Sequence, residues 1–538
     1  VGGLPALGAA ALASPADSGR AVGIYYEDPA VLYDFGRYAS VMPGLEQMLD
    51  RLSAYMQYSG QTLLTYPLVW YQGMIGDKYN PRTHPEDFFQ AVLTIFDRDG
   101  LGFMPSFNHH NIYFPDLAIS AERFEDGSLH DTPVSILNTG KHNPGGWHGT
   151  PPNFNVMHPA VQEHILANVQ QFIDEGAAHP SFKGITLHLT NHCLASFGEL
   201  SAGYNDYVID AFSRATGIAV PVSRQEPLRG KLYYEWLMAH AREEWIDWRC
   251  QALAEFYGRI AERLRLARPD LRLVLCNLGP MGEVKAENFR DEDFVAQRYR
   301  GAGLDPKYLS AIANVTLVQT IIPADYRWRR GHGSEDPNLQ HLRDFDLLPG
   351  TYSLLNTAPA PWLHMHDRYW ESAIGRRGGR RWNGPGEGEL GAWFSEQSWR
   401  VSTLNPAGVH AMRHYIAPLR HNDLLGITKG GFLIGTHGMD ELLRPFAQAF
   451  RALPAQRFAD VASGNAAITL RRLEHAGATW FYVVNTTATP AEAALRLSAP
   501  ARDVVSGVTV PAGELRLPLG AYEFRAFRAD GALGIEVK

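Results

Sequence analysis

Polar side chains capable of acid–base and hydrogen-bonding chemistry follow several short apolar runs, at the point where each run ends. Two carboxyl groups facing one bond can cleave a glycosidic linkage, because one protonates the leaving oxygen while the other attacks or activates water. Imidazoles and amides bind the hydroxyls of polyhydroxylated ligands. These residues are Asn108, His109, Asn191, His192, Glu199, Tyr326, His364, His366, Asp367 and Glu371.

Tryptophan is concentrated in one part of the chain. Five of the 12 tryptophans lie between residues 362 and 399, and Trp70 ends another apolar run. Indole rings stack on the faces of sugars, although a self-packed lid is the alternative explanation for such a cluster. The sequence predicts that Trp70, Trp362 and Trp370 form walls of a sugar site.

Eight apolar runs alternate with stretches of helical periodicity, which indicates βα units and a parallel sheet. Eight strands favour a closed (β/α)8 TIM barrel of the α/β class over a doubly wound sheet. In such a barrel, the residues at the carboxyl ends of the strands share one rim, and active sites form there. The predicted strands are 21–27, 62–70, 101–108, 183–190, 272–277, 315–322, 361–366 and 426–436, and the predicted helices are 43–59, 85–98, 158–175, 204–216, 232–267, 291–311 and 406–419.

The pattern changes after about residue 457. Short alternating runs separated by glycine, proline and threonine turns predict an antiparallel β-sandwich over 457–538, after a barrel domain over 21–445. We expect this sandwich to pack on the barrel and support it. The predicted sandwich strands are 466–473, 479–485, 493–497, 515–518 and 521–528.

The composition excludes several classes of protein. The 538 residues carry a net charge of −8, so the chain lacks the basic surface of a nucleic-acid-binding protein. No apolar run is long enough to predict a membrane span. Three cysteines exclude a disulfide-built scaffold, and no cysteine or histidine spacing predicts a structural zinc site. No cofactor is predicted, and a homo-oligomer stays open.

The first residues are small and apolar, and they resemble the end of an export signal. A disordered leader is the alternative. We therefore expect residues 1–20 to be a leader and the protein to be secreted or periplasmic.

The stretch 185–218 reads ITLHLTNHCLASFGELSAGYNDYVIDAFSRATGI. It resembles the fourth-strand region of the clan-A retaining glycoside hydrolases, most nearly the family 42 β-galactosidases. Tyr204, Phe212 and the Gly217-Ile218 pair fit that family's continuation, and the long helical stretch 235–273 is similar to its next segment. The resemblance covers roughly residues 180–280. It implies a (β/α)8 barrel that hydrolyses a β-linked glycoside with two carboxylates.

One residue departs from that family. Where the family has Asn-Glu, this chain has Asn191-His192, so the expected acid is absent. Glu199, seven residues further on, is the candidate to replace it. Its apolar neighbours Phe197 and Leu200 would desolvate the carboxyl and raise its pKa, which suits a proton donor. The alternative is that the resemblance ends at the fold.

The resemblance places the second carboxylate after the seventh strand. The segment WLHMHDRYWE offers Asp367 and Glu371, and Glu371 is favoured because it follows Tyr-Trp at the start of a loop. Glu396 is its rival. The sequence thus predicts that Glu199 protonates the leaving group and Glu371 attacks the anomeric carbon. The predicted substrate-binding residues are Asn108, His109, Asn191, His192, Tyr326, His364, His366, Asp367, Trp70, Trp362 and Trp370.

Two other functions compete with hydrolysis by carboxylates. The strand-end histidines, including His110, could hold a metal in a metal-dependent hydrolase. Metal-dependent barrels of the amidohydrolase type carry His-x-His on the first strand, where this chain has Tyr25-Tyr26-Glu27. Hydrogen bonding to sugar hydroxyls is therefore the favoured role, and no metal is predicted. The missing Asn-Glu also allows a non-catalytic carbohydrate-binding barrel. The long loops 109–156 and 371–400 favour a closed pocket and exo cleavage.

Overall fold

The protein is described from a computed structural model. It describes residues 19–26, 44–70, 73–74, 88–107, 117, 119, 129–143, 153–189, 195–277, 290–321, 349–366, 408–431 and 439–538.

Eight parallel strands form a closed barrel. The first strand pairs with both the second strand and the last one, so the sheet has no free edge. All eight sequence-predicted strands are present, which confirms the (β/α)8 fold. The strands are β1 (Ala21–Tyr26), β2 (Leu63–Trp70), β4 (Gly102–Phe107), β5 (Gly184–Leu189), β6 (Arg272–Asn277), β7 (Val315–Ile321), β8 (Pro361–His366) and β9 (Gly426–Gly431), and the short β3 (Gly73–Met74) pairs antiparallel with the end of β2.

Helices pack around the barrel. Their apolar faces and the outward side chains of the strands, such as Ile24 and Leu187, form one continuous core. The helices are α1 (Leu45–Ser59), α2 (Phe88–Asp99), α3 (Pro159–Gly176), α4 (Asp206–Thr216), α5 (Arg229–His240), α6 (Arg242–Ala267), α7 (Glu292–Gly301), α8 (Pro306–Leu309), α9 (Arg413–Ile416) and α10 (Asp440–Ala452), with 3-10 turns at Pro349–Tyr352, Gly408–Met412 and Ala417–Arg420.

Several helix predictions need correction. The single helix predicted over 232–267 is two helices, because the chain turns at Ala241, where φ is −151° and ψ is 37°. The stretches 291–311 and 406–419 are likewise divided into shorter pieces. Helix α10 was not predicted, although Leu443, Phe446 and Phe450 have helical spacing and are buried. This helix runs past residue 445, where the sequence analysis ended the barrel. No helix among the described residues is long and apolar enough to cross a membrane.

The C-terminal region contains two antiparallel sheets, as predicted. One sheet has the order β10-β11-β12-β17-β14-β15 and the other has the order β16-β13-β18. The short strands β10, β14, β15 and β18 were not predicted. The strands are β10 (Ala459–Val461), β11 (Ile468–His475), β12 (Ala478–Asn485), β13 (Ala491–Leu497), β14 (Ala501–Asp503), β15 (Thr509–Val510), β16 (Gly513–Leu519), β17 (Phe524–Asp530) and β18 (Ile535–Val537).

Strand β12 shows how the sandwich attaches to the barrel. Its side chains alternate between two cores: Phe481 and Val483 pack between the two sheets, whereas Tyr482 and Val484 join the core of the barrel. This alternation follows from the two-residue period of a strand. The six-stranded sheet therefore packs on the barrel, in agreement with its expected supporting position.

A group of four buried polar residues connects the two domains and is called the interface network. Its members are Arg20, Asp423, Arg471 and Tyr482. Arg20 donates two hydrogen bonds to the Asp423 carboxylate, at 2.7 and 3.0 Å. The Tyr482 hydroxyl donates to the same carboxylate at 2.6 Å and accepts from Arg471 at 2.8 Å. Each residue is at most 4% exposed. The network thus places opposite charges in direct contact where the sandwich meets the barrel.

Inside the barrel, an apolar layer fills the half nearer the amino ends of the strands. Leu63, Val274, Val318 and Trp362 contact one another there, separately from the core around the outside. A Cβ at Gly426 would lie 2.4 Å from the Trp362 ring, so glycine is needed for the indole to fit. This layer is the apolar part of the barrel interior.

Candidate active site

Polar side chains replace this apolar layer toward the carboxyl ends of the strands. Four of these side chains, each at most 4% exposed, are together called the histidine tier. They are Tyr25 of β1, His188 of β5, His364 of β8 and Thr428 of β9. Tyr25 belongs to the cluster inside the barrel. His188 is in register with Cys276 of that cluster and shares its face of the sheet. Strand parity therefore directs the tier into the barrel.

The tier residues contact one another across the barrel. The Tyr25 hydroxyl hydrogen-bonds to Nδ1 of His188, although β1 and β5 are not neighbours in the sheet. The Tyr25 ring also lies 4.5 Å from the His364 ring, centroid to centroid. Nδ1 of His364 is 3.1 Å from Oγ1 of Thr428. Both imidazoles thus engage a hydroxyl through Nδ1, which fixes the ring orientation and leaves Nε2 as the second functional nitrogen.

Asn277, the last residue of β6, carries a buried amide. Its side chain is buried, at 1% exposure. Neither Nδ2 nor Oδ1 has a hydrogen-bond partner within the part of the chain that the structure describes. A buried polar group left unpaired costs about 1–3 kcal/mol, so such groups are normally satisfied by protein, water or ligand. By strand parity Asn277 faces the surrounding helices, as Leu275 does, whereas its neighbour Cys276 faces the barrel interior.

Glu199 lies in a groove beside this region. The groove has a volume of about 390 Å³, and the half-buried Glu199 carboxylate accepts a hydrogen bond from Ser201 at 3.1 Å. Its other lining residues belong to loops and helices, and none belongs to the histidine tier. They are Asn138, Leu200, Ser201, Tyr234, Arg242, Phe294, Gln297, Arg298 and Gly301.

A buried arginine fixes the loop that carries Glu199. Arg249 of α6 donates to the carbonyls of Ala202 at 2.6 Å and Glu199 at 2.8 Å. Its guanidinium also lies 3.9 Å from the centroid of the Phe197 ring. Burial lowers the pKa of Arg249 to about 10. Phe197, expected to desolvate Glu199, thus packs on the arginine that holds the Glu199 backbone.

The position of Arg249 along α6 shows which end of the barrel the groove lies near. At the other end of α6, Arg268 donates to the carbonyls of Ala177 and His179, which precede the amino end of β5. Arg249 lies 19 residues earlier, roughly 28 Å along the helix at 1.5 Å per residue. The six residues of β5 span only about 20 Å. The groove therefore lies on the carboxyl side of the barrel.

The sequence-predicted site residues divide into three groups. His364 lies in the histidine tier and Glu199 in the groove. Trp362 packs inside the barrel four residues before the carboxyl end of β8, and the backbones of Trp70 and His366 end β2 and β8. Outside the described residues lie Asn108, His109, Asn191, His192, Tyr326, Asp367, Trp370, Glu371 and the rival Glu396.

Sequence reasoning did not select four residues that the structure brings to this end of the barrel: Tyr25, His188, Thr428 and Asn277. A usable signal was present for His188, because it is polar and lies at an alternating position within the strand GITLHL. His188 was not predicted because the predicted site residues were taken mainly from the ends of the strands and the loops after them.

The described residues contain no group of three or more histidine, cysteine, aspartate or glutamate side chains that could hold a metal ion. Cys250 and Cys276 are buried. Among the described residues, hydroxyl and imidazole groups meet inside the barrel at its carboxyl end, and the Glu199 carboxylate lies in the groove beside it.

The fold and the site together define a (β/α)8 barrel with buried polar side chains toward its carboxyl end. No protein-family model and no curated protein sequence matches the chain. Solved structures with a similar course of the chain include an Anoxybacillus α-amylase, with 10% identity, a TM-score of 0.48 and coverage of 96% of this chain and 98% of that one. A Geobacillus thermoleovorans α-amylase, solved with acarbose, has 12% identity, a TM-score of 0.46 and coverage of 95% and 98%.

A family 42 β-galactosidase from G. stearothermophilus is also similar, with 10% identity, a TM-score of 0.40 and coverage of 95% of this chain and 98% of that one. TM-scores below 0.5 at these identities assign neither a family nor an activity to this chain.

Proposed function

We propose that this protein is a glycoside hydrolase whose active site lies at the carboxyl end of the barrel. The observation that carries the proposal is the histidine tier: hydrogen-bonding groups that are buried in the barrel and held in fixed orientations. Such groups suit the hydroxyls of a sugar. The chain continues directly from β8 into Asp367 and Glu371, so candidate carboxylates follow the strand that carries His364.

The proposed mechanism is retaining hydrolysis of a β-linked glycoside by two carboxylates. Glu371 attacks the anomeric carbon and Glu199 protonates the leaving oxygen. Glu199 then acts as the base that activates water to hydrolyse the glycosyl intermediate. His188 and His364 bind sugar hydroxyls, while Tyr25 and Thr428 hold the two imidazoles through Nδ1.

The position of the groove supports the proposed role of Glu199 as the acid. It lies on the carboxyl side of the barrel, so a substrate that extends sideways from the barrel cavity would bring its leaving group toward Glu199. The distance between the two carboxyl groups is a further requirement, because retaining chemistry needs a separation of about 5–5.5 Å.

The test is hydrolysis of a panel of aryl glycosides by the full chain and its Glu371 variants. E371Q is expected to abolish turnover without changing Tm, and azide is expected to restore activity to E371A by forming the glycosyl azide. The matched controls are E396Q, the rival carboxylate, and E235Q, an exposed residue of α5. Normal turnover by E371Q would remove Glu371 from the mechanism.

Glu199 is tested by the dependence on the leaving group. Loss of a general acid typically lowers the rate by about 10²–10⁴-fold. E199Q should therefore lose most activity on alkyl glycosides and much less on a dinitrophenyl glycoside, whose leaving group needs no proton. An equal loss on both substrates would contradict the acid role.

The competing functions have their own signatures. A metal-dependent hydrolase would lose activity after dialysis against a chelator and regain it with added metal. A non-catalytic binding barrel would bind sugars without turning over any glycoside in the panel. We expect chelator-insensitive turnover.

A further inference from the structure

The groove beside the barrel differs in charge from the molecule as a whole. The chain carries a net charge of −8. The groove is lined by the guanidinium groups of Arg242 and Arg298 and by a single carboxylate, that of Glu199. Arg242 pairs with Glu243, so Arg298 is the lining cation that stays available to an anionic ligand.

Arg298 is the cation best placed to bind such a ligand. Its exposed guanidinium lies 5.3 Å from the centroid of the Phe294 ring. Arg298 forms no ion pair in the part of the chain that the structure describes. Arg242, in contrast, already pairs with the exposed Glu243. A ligand carboxylate can thus bind Arg298 without displacing a protein partner.

The remaining walls are firmly held. The Tyr234 ring packs edge-to-face on Tyr204, with centroids 5.4 Å apart. The Tyr204 hydroxyl donates to the Leu200 carbonyl at 2.7 Å, and Arg249 holds the Glu199 carbonyl at 2.8 Å. A groove assembled in advance loses less conformational entropy when a ligand binds.

We propose that this groove binds a uronic acid residue of an acidic polysaccharide. Arg298 would receive the carboxylate in a charge-assisted, two-point hydrogen bond. Tyr234 would contact the apolar face of the sugar, and Gln297 would bind a hydroxyl. The volume of about 390 Å³ is within the usual range of ligand sites, about 300–1,000 Å³. The choice of a sugar rests on the proposed function, whereas the preference for a carboxylate rests on the groove alone.

The experiment is calorimetric titration of the full chain at low salt with trigalacturonate and with its methyl ester. The ester keeps the sugar rings and removes the charges, so it is expected to bind about 10- to 100-fold more weakly. R298Q is expected to weaken the binding of trigalacturonate by a similar factor. The matched control is R444Q. Arg444 lies on α10, outside the groove, and its guanidinium is 5.3 Å from the centroid of the Tyr58 ring of α1.

Equal affinity for the acid and the ester, or equal affinity in R298Q and R444Q, would overturn the proposal. Citrate is the third probe, and binding of citrate as tight as that of trigalacturonate would overturn the assignment of a sugar. Failure of the proposed function has a different readout: no aryl glycoside would be turned over, whatever the affinity of the groove for trigalacturonate.

Discussion

The interface network and the histidine tier are both buried polar clusters, but they are built from different groups. In the interface network, Arg20 and Asp423 form an ion pair, and their side chains are 0% and 4% exposed. In the tier, the interacting groups are a phenol, two imidazoles and a threonine hydroxyl. The network binds two domains together, whereas the tier lies in the interior of one barrel.

This difference separates a structural role from a functional one. Charged partners that are shielded from water attract each other strongly, and the loss of one leaves the other buried and unpaired. Hydroxyls and imidazoles can act as donors or acceptors, so they can exchange a protein partner for a ligand. We therefore expect substitutions in the network to reduce stability and substitutions in the tier to reduce activity.

The largest effect on stability should come from D423A. Without the carboxylate, Arg20 stays buried with no counter-charge, and the hydrogen bond from Tyr482 is lost. The free energy of unfolding should fall by about 3–5 kcal/mol, as measured by chemical denaturation. The control is D50A, because Asp50 pairs with Arg98 on the surface, where the two side chains are 47% and 57% exposed. D50A should cost no more than about 1 kcal/mol, and an equal loss in both variants would contradict the role of the network.

A matched pair of tyrosine substitutions compares the two regions directly. Tyr482 and Tyr25 are both buried, and each hydroxyl has a hydrogen-bond partner. Y482F removes a bond to a charged group and should cost about 1.5–3 kcal/mol, whereas Y25F removes a bond to an imidazole and should cost about 0.5–1.5 kcal/mol.

The order reverses for activity. Y25F releases His188 from its fixed orientation, so we expect kcat/KM for the best aryl glycoside to fall by about 10- to 100-fold, equivalent to roughly 1.4–2.7 kcal/mol of transition-state binding. Y482F should change kcat/KM by less than about twofold at temperatures where it is folded. If the two variants lost activity equally, the separation of the two regions would be wrong.

The smallest effect concerns acid stability at the amino end of the barrel. Burial opposes the ionisation of Asp97, but hydrogen bonds from Ser181 and His179 outweigh it and lower the pKa of Asp97. A lowered pKa stabilises the fold above the unfolded value of about 3.9, and this contribution disappears as the pH falls through the folded value. The stability difference between wild type and D97N should therefore shrink below about pH 4. A difference that does not change with pH would exclude this linkage.

Much of the fold could be predicted from the sequence because each barrel strand is a compact apolar run. The short strands β14 and β15 could not, since two or three residues carry no measurable periodicity. His188 of the histidine tier was missed for a different reason, whereas His364 was predicted. Whether His188 faces the helices or the barrel interior depends on strand parity after closure, and its contact with Tyr25 joins residues 163 positions apart. Glu199 could be selected from the sequence, but its position in a groove lined by loops and helices required the tertiary structure.

The apolar layer around Trp362 affects how a substrate reaches the barrel interior and how a product leaves it. The Trp362 indole lies close over Gly426 and packs with apolar side chains inside the barrel. We therefore expect a sugar to enter, and its product to leave, through the carboxyl end. Slow release of the product would then limit turnover, and bound product would compete directly with the next substrate.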